Sequence, residues 1–281
     1  YIQAAEQLQG SGLALFKARL PETPTIAQYL AGSLEQNSRV GVDGRSISQQ
    51  FYLELKPAFK AKSIQLVLDQ DLISPIWAER PARPSAALFN HPLEIAGQTA
   101  SEKITRIRRV LKQKAADALL VSTLDDVMWA LNIRGGDTLY CPISESYLLI
   151  TLNRCQLFVD KQKLTSDVIA TLTEHGIEME DYTQLSKTLK AFTPDSVLIH
   201  DRRNTDSLLI SHIPSQVRLL NMACPVTAMK ARKNHTELAS MEETLRKDGA
   251  AVVRFMKWLD EQVPSGKVTE LNAEQTLMGY R

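Results

Sequence analysis

Cysteine is scarce in this sequence of 281 residues. The three cysteines, Cys141, Cys155 and Cys224, are too few and too widely spaced for a disulfide framework, and no CxxC pair occurs. A zinc site built from thiolates is therefore not expected. We expect reduced thiols, as in a cytoplasmic protein.

Net charge and long apolar runs are also missing. The 33 lysines and arginines nearly balance the 32 aspartates and glutamates, for a formal charge of +1. Nucleic-acid-binding proteins usually carry a basic excess, so no nucleic-acid partner is expected. The basic runs at 106–109 and 230–233 are interpreted as solvated helix faces. No stretch of roughly 18 apolar residues occurs, so we expect no membrane association.

Motifs of common catalytic sites are absent. The five histidines are dispersed without an HExxH pair, and no GxSxG sequence surrounds a serine. Cys155 falls in a predicted strand, and Cys141 and Cys224 each precede a proline, so all three are interpreted as structural. We therefore assign no catalytic residue and no metal ligand to this chain.

The sequence NIRGGD at 132–137 is the one candidate site. It lacks the further glycines of a dinucleotide-binding fingerprint and the Lys-Ser/Thr of a phosphate-binding loop. In a functional interpretation, Arg134 and Asp137 project toward a substrate opening and control substrate access. In a structural interpretation, which the sequence favours, Arg134 and Asp137 pair with each other and fix a loop.

Short helices alternate with apolar strands, which predicts an α/β protein. At roughly 150 residues per domain, the length suggests about two domains. Helices are predicted over residues 1–8, 26–34, 48–62, 102–114, 124–131, 164–174, 184–192 and 234–263, and again from Thr269. Strands are predicted over residues 13–18, 39–43, 63–68, 118–122, 147–152, 155–159 and 196–200.

Prolines and tryptophans add detail to this prediction. Residues 72–84 read LISPIWAERPARP, and their three prolines place a boundary near residue 85. Trp77 in this segment is expected to pack at a domain junction, whereas Trp129 is expected to be buried between its helix and the strand at 118–122. The strands at 147–152 and 155–159 are expected to form a hairpin around an Asn153-Arg154 turn.

Five motifs occur along the chain in one order. They are IWAERPARP at 76–84, IAG at 95–97 with SEKITRIR at 101–108, ALLVSTLDDVMWALNIRG at 118–135, MKARKN at 229–234, and WLDEQVPSGKVTEL at 258–271. Together they resemble the long, three-domain form of Xaa-Pro aminopeptidase (aminopeptidase P), of the pita-bread metallopeptidase group. The resemblance extends over essentially the whole chain.

The resemblance implies an architecture. Two consecutive creatinase-type N-terminal domains, each a mixed sheet flanked by helices, would occupy residues 1–85 and 86–224. The opening helices of a pita-bread catalytic domain would occupy residues 225–281. Because the sequence opens at Tyr1 and its last helical pattern runs to Arg281, we expect a piece that lacks the start of the first domain and most of the catalytic domain. The family's metal ligands and catalytic histidines would lie outside it.

The resemblance also implies a function. The intact enzyme would release the N-terminal residue from peptides with proline in second position, using two metal ions, usually manganese. This piece would bind no metal itself, shape substrate access and favour a homodimer. Two alternatives stay open: a metal-free scaffold or chaperone-like module, and a prolidase-like dipeptidase or creatinase. The additional N-terminal domain argues against the latter, because shorter relatives have one.

Overall fold

The computed structural model describes residues 1–281. The first part of the chain forms α1 (Ile2–Gln7), α2 (Ile26–Ser33), β1 (Arg39–Gly41), α3 (Gln49–Lys60) and β2 (Gln65–Val67). Strands β1 and β2 pair in parallel. Leu55, Phe59 and Ile64 form a small core with apolar residues of α2. These elements confirm the helices and strands predicted between residues 26 and 68, and the helix at the start of the chain.

The strand predicted over residues 13–18 is wrong. This stretch forms no regular element, and the side chains of Leu13 and Phe16 stay exposed. Backbone N–H and C=O groups of a strand need a neighbouring strand to pair with. No strand of the chain pairs with this stretch, so the apolar pattern alone does not make it a strand.

The middle of the chain contains most of the regular structure. Its elements are β3 (Phe89–Asn90), α4 (Leu93–Ala96), α5 (Ala100–Gln113), β4 (Ala118–Val121), α6 (Leu124–Leu131), β5 (Ile133–Arg134), β6 (Ser146–Thr151), β7 (Cys155–Val159), α7 (Ser166–Glu174), β8 (Glu178–Asp181), α8 (Leu185–Lys190), β9 (Val197–His200), α9 (Ser207–Ser211) and β10 (Arg218–Asn221). Six strands form one sheet in the order β10-β9-β4-β6-β7-β8, and β3 pairs separately with β5.

This sheet is mixed and has helices on both faces. Strand β4 runs parallel to β9 and antiparallel to β6. Leu119 and Val121 face the larger core with α5 and α6, whereas Ala118 and Leu120 face a second core with α8 and α9. Burial on both faces explains why β4 reads as an uninterrupted apolar run. The predicted α/β class, a mixed sheet flanked by helices, is confirmed.

The predicted hairpin is confirmed, but its turn is displaced by one residue. Ile150 pairs with Cys155, and the amide of Thr151 donates to the carbonyl of Arg154 at 2.9 Å. The turn residues are therefore Leu152 and Asn153. Two strands of the six-stranded sheet that the sequence did not reveal, β8 and β10, are its edges, and the short pair β3 and β5 was not predicted either. Edge strands need no continuous apolar pattern, because one side remains open to water.

Three helices complete the chain: α10 (Pro225–Ala231), α11 (His235–Gln262) and α12 (Glu270–Tyr280). Asn234 caps α11, with Glu237 closing the capping box, so the helix begins where the sequence predicts it. Helix α11 contacts both α12 and α4. None of the helices combines the length and the apolar composition that crossing a membrane requires.

Two loops join the first part of the chain to the large sheet. Backbone hydrogen bonds of 2.7–2.9 Å connect residues 47–50 with residues 202–207. The hydroxyl of Ser207 also donates to the carbonyl of Gly44 at 3.1 Å. Trp77 does not take part in this junction. It is 48% exposed, with Arg80 over its ring, so its expected packing is wrong.

Candidate functional site

A cleft of about 450 Å³ lies between α6, the first turns of α11 and residues 141–143. We call it the junction cleft, because it separates the large sheet domain from the C-terminal helices. Trp129, Arg134 and Glu237 line it together with apolar side chains. Several stretches that carried the family resemblance, IAG, the α6 region and MKARKN, therefore meet at one place in the fold.

Trp129 lies at the inner end of the junction cleft and is only 6% exposed, which confirms its predicted burial. Its indole Nε1 donates to Oε1 of Glu237 at 2.8 Å. The ammonium of Lys103 sits 4.0 Å from the ring centroid, a cation–π geometry. Trp129 thus joins α6 to both α5 and α11, a connection that the sequence pattern did not reveal.

Lys103 is a buried cation at the same junction. Its Nζ donates to the carbonyl of Trp129 at 2.8 Å and to Oδ1 of Asn132 at 2.6 Å. Asn132, in the left-handed conformation that ends α6, donates in turn to the carbonyl of Gln98 at 2.7 Å. Burial lowers the pKa of Lys103 to about 8, against a smaller opposing effect of Glu237. The lysine is therefore mostly protonated at pH 7.

The start of α11 is fitted closely against Gly97. The side-chain nitrogen of Asn234 donates to the carbonyl of Ala96 at 2.8 Å. Gly97 has a φ of +67°, and a Cβ at this position would lie 2.5 Å from Oδ1 of Asn234 and 2.7 Å from Cβ of Thr236. Only glycine meets both the backbone conformation and the close approach. The glycine of the IAG motif therefore has a specific packing role.

Helix α10, which precedes α11, is held against α6 by an ionic contact. The ammonium of Lys230 in α10 binds Asp125 and lies 2.6 Å from Oδ1 of Asp126, both in the first turn of α6. Asp126 is fully buried and also accepts a hydrogen bond from the hydroxyl of Thr227. Lys230 is thus a partner of the buried Asp126 carboxylate as well as of the exposed Asp125, and the predicted solvated face at 230–233 is wrong for this residue.

Arg134 lines the junction cleft. Its Nη1 donates to the carbonyls of Met128 at 3.1 Å and Ile133 at 2.9 Å. Burial lowers the pKa of Arg134, and Arg134 together with Lys103 adds to the effect of burial in lowering the pKa of neighbouring His91. The imidazole of His91 is therefore neutral at pH 7, and the guanidinium carries the positive charge.

Asp137 binds Lys163 and not Arg134. Its Oδ2 accepts hydrogen bonds from Lys163 Nζ at 2.6 Å, from the Glu145 amide at 2.7 Å and from the Ser144 hydroxyl at 2.9 Å. Both charged side chains are almost fully buried, at 3% and 2% exposure. The structural interpretation, in which Arg134 and Asp137 pair, is therefore wrong. Asp137 instead holds the end of the loop whose residues 141–143 line the junction cleft.

Gly97→Ala tests the close approach of α11. Alanine at a φ of about +67° costs about 1–2 kcal/mol, and the clash with Asn234 and Thr236 adds at least about 1 kcal/mol. Gly176→Ala is the matched control, because Gly176 has a φ of +69° but open space around it. We expect urea denaturation to show a clearly larger loss for Gly97→Ala. Equal losses for the two variants would mean that α11 does not approach Gly97 closely.

The pH dependence of stability tests the burial of Lys103. The folded protein releases this proton near pH 8, whereas the unfolded chain keeps it up to about the ordinary value of 10.5. The folded-state pKa is lowered, so the free energy of unfolding rises with pH between these values, by at most about 1.4 kcal/mol per pH unit. Lys103→Met removes this contribution and leaves all other groups in place. We therefore expect the stability of the unmodified protein, relative to Lys103→Met, to increase from pH 7 to pH 10. Parallel pH profiles would contradict a buried ammonium.

The family implied by the motifs uses metal ions, which carboxylate, imidazole or thiolate side chains would have to hold. No group of three or more His, Cys, Asp or Glu side chains lies close enough together to hold a metal ion. The acidic residues at the junction cleft are already engaged, Asp125 and Asp126 by Lys230 and Glu237 by Trp129. The residues of this chain do not fit a metal site, and we assign no catalytic step to them.

Comparison with known proteins gives a consistent result. The family described as Creatinase/Prolidase N-terminal domain matches residues 79–237. Xaa-Pro aminopeptidase ApepP of Drosophila melanogaster is 31% identical over 100% of this chain and 47% of its own length. A probable Xaa-Pro aminopeptidase P of Laccaria bicolor is 33% identical over 95% of this chain and 42% of its own. The chain thus spans about half the length of the curated relatives it matches.

A solved structure agrees with these sequence matches. X-prolyl aminopeptidase from Caenorhabditis elegans, described as a cytosolic enzyme with a di-nuclear active site, superposes with a TM-score of 0.91 and 28% identity. The superposition covers 100% of this chain and 47% of that enzyme. Matches to the domain family, to the relatives and to the structure confirm the resemblance inferred from the motifs. The chain belongs to the creatinase/prolidase N-terminal domain family and is similar over its whole length to Xaa-Pro aminopeptidases.

Proposed function

We propose that this chain is the N-terminal, non-catalytic portion of a metal-dependent aminopeptidase that removes the first residue from peptides with proline in second position. The superposition of the whole chain on about half of the C. elegans X-prolyl aminopeptidase carries the proposal. A Xaa-Pro bond is a tertiary amide, and the proline ring restricts its geometry. Its hydrolysis therefore needs an enzyme whose active site is shaped for this bond. The two manganese ions of such an enzyme would be held outside these 281 residues.

The proposal assigns a role to each part of the chain. Residues 1–85 and 86–224 would be two creatinase-type domains, and residues 225–281 would open the catalytic domain. The two N-terminal domains would form walls that admit an unfolded peptide end and exclude folded protein. Arg134 would act on substrate access from within the junction cleft. Asp137 would act through the loop at 141–143 that it holds in place.

Exposed apolar side chains on α11 support the existence of a further packing partner. Leu238, Met241, Leu245 and Met256 recur at helical spacing along one face and are each at least 44% exposed. A continuous stripe of this kind marks a contact surface. We propose that the catalytic part of the enzyme covers this stripe outside the junction cleft, at Leu238 and Met256, and that the assembled enzyme is a cytoplasmic homodimer.

The test is hydrolysis by the full-length protein. We expect manganese-dependent release of arginine from Arg-Pro-Pro, and no release from Arg-Ala-Pro, which has an ordinary secondary amide at the same position. The dipeptide Ala-Pro separates this activity from that of a prolidase. No turnover of any Xaa-Pro peptide would favour the metal-free scaffold, and turnover of the dipeptide alone would favour the dipeptidase.

A further inference from the structure

Arg134 has donor groups that nothing in the chain uses. Its Nη1 is occupied by the carbonyls of Met128 and Ile133, but Nε and Nη2 make no hydrogen bond. No carboxylate oxygen lies within 4.0 Å of the guanidinium, so Arg134 forms no ion pair. Nε and Nη2 lie on one edge of the guanidinium, where they can bind both oxygens of a single carboxylate.

The nearest acid does not neutralise this charge. Glu237 is close enough to influence the pKa of Arg134, but burial still lowers that pKa overall. Both oxygens of Glu237 are engaged, Oε1 by the indole of Trp129 and Oε2 by the Asn234 amide at 2.9 Å. Lys233 adds a further positive charge to the lining of the cleft. The charged lining of the junction cleft is therefore net positive, because Arg134, Lys230 and Lys233 outnumber Asp125 and Glu237.

Apolar side chains surround the Arg134 guanidinium. Ile95, Ile143, Met241 and Leu245 line the junction cleft with Trp129. A volume of about 450 Å³ lies within the range of roughly 300–1,000 Å³ that is typical of small-ligand sites. Apolar walls with one oriented polar group favour a ligand that has an apolar body and one anionic end.

We propose that the junction cleft binds the C-terminal carboxylate of a short peptide whose last side chain is apolar. The carboxylate oxygens accept hydrogen bonds from Nε and Nη2 of Arg134, and the terminal side chain packs against Met241 and Leu245. The choice of a peptide end, among carboxylates with an apolar body, rests on the proposed function. The cleft then favours peptides that are short enough for a free C-terminus to reach it.

The experiment compares free-acid and amidated peptides. Arg-Pro-Leu and Arg-Pro-Leu-amide differ only in the terminal charge, and binding is measured by calorimetry on the full-length protein in chelator, so that no turnover occurs. We expect the free acid to bind at least about tenfold more tightly, as for a charge-assisted bidentate contact. Equal affinities would overturn the proposal. Equally tight binding of Arg-Pro-Glu-amide would overturn the assignment to the C-terminus.

Variants test whether Arg134 is the source of the preference for the free-acid peptide over the amide. Arg134→Gln should bind acid and amide equally, and Arg134→Lys should retain only part of the preference, because it keeps the charge and loses the paired donors. Arg232→Gln is the matched control, since Arg232 is an exposed cation next to Lys233 that does not line the cleft. An undiminished preference in Arg134→Gln would overturn the proposal.

Hydrolysis separates this inference from the proposed function. The same peptides are incubated with the full-length protein and manganese. Turnover of Arg-Pro-Leu without any preference for the free acid in the binding assay would refute the carboxylate site alone. Preference for the free acid without turnover would refute the proposed peptidase activity alone.

Discussion

Replacing Trp129 with alanine should lower the free energy of unfolding by about 3–5 kcal/mol. The indole is 6% exposed and belongs to the larger core. Its loss leaves a cavity, removes the aromatic face under the Lys103 ammonium and frees the Glu237 carboxylate. Urea or thermal denaturation monitored by far-UV circular dichroism measures the effect without depending on tryptophan fluorescence.

Two control variants show how much of the stability loss in Trp129→Ala comes from the hydrogen bond and how much from burial. Trp129→Phe keeps most of the buried area and the aromatic face, so only the hydrogen bond to Glu237 is lost, at a cost of about 1 kcal/mol. Trp77→Ala removes a tryptophan that is 48% exposed and should change stability by less than about 0.5 kcal/mol. A loss for Trp129→Ala as small as that for Trp77→Ala would show that Trp129 is not a core residue.

Lys163→Met should cost a similar amount, about 3–5 kcal/mol, because it leaves the buried carboxylate of Asp137 without its cation. Burial by itself would raise the pKa of Asp137, but the hydrogen bonds from Lys163, Glu145 and Ser144 outweigh burial and hold the pKa below its ordinary value. Chemical denaturation at pH 7 measures the loss. Lys161→Met, in the same turn but exposed, should be nearly neutral.

Two further measurements identify the mechanism of this loss. Asp137→Asn combined with Lys163→Met should lose less than Lys163→Met alone, because no unpaired charge remains. In Lys163→Met the pKa of Asp137 is no longer held down, so protonation relieves the deficit as pH falls from 7 toward 4. An equal deficit at pH 7 and pH 4, with no rescue by Asp137→Asn, would contradict the buried ion pair.

The sequence was sufficient to predict those helices and strands in which the local pattern and the packing favour the same structure. Helix α5 begins at a Thr99 capping box and shows apolar residues at helical spacing, so it was predicted within two residues. Strand β4 is apolar throughout because both of its faces are buried. Strands β8 and β10 were missed because they are edges without a continuous apolar run, in which pairing with a neighbour decides the structure.

The candidate site was only partly predictable, because its partners are far apart in sequence. Arg134 was identified from the NIRGGD motif, and it does line the junction cleft. The cation that binds Asp137 is Lys163, in a turn that no local pattern connects to that motif. Lys103 carried a usable signal, since it falls on the same helical face as Ile104 and Ile107, where a charge requires buried partners.

Hydrolysis of Arg-Pro-Pro by residues 1–281 alone tests the central claim most directly. The isolated chain, purified free of other peptidases and supplied with manganese, is compared with the full-length protein at equal concentration. We expect turnover by the full-length protein and none by the isolated chain, because these residues shape access to chemistry that is performed elsewhere. Manganese-dependent release of arginine by the isolated chain would contradict it.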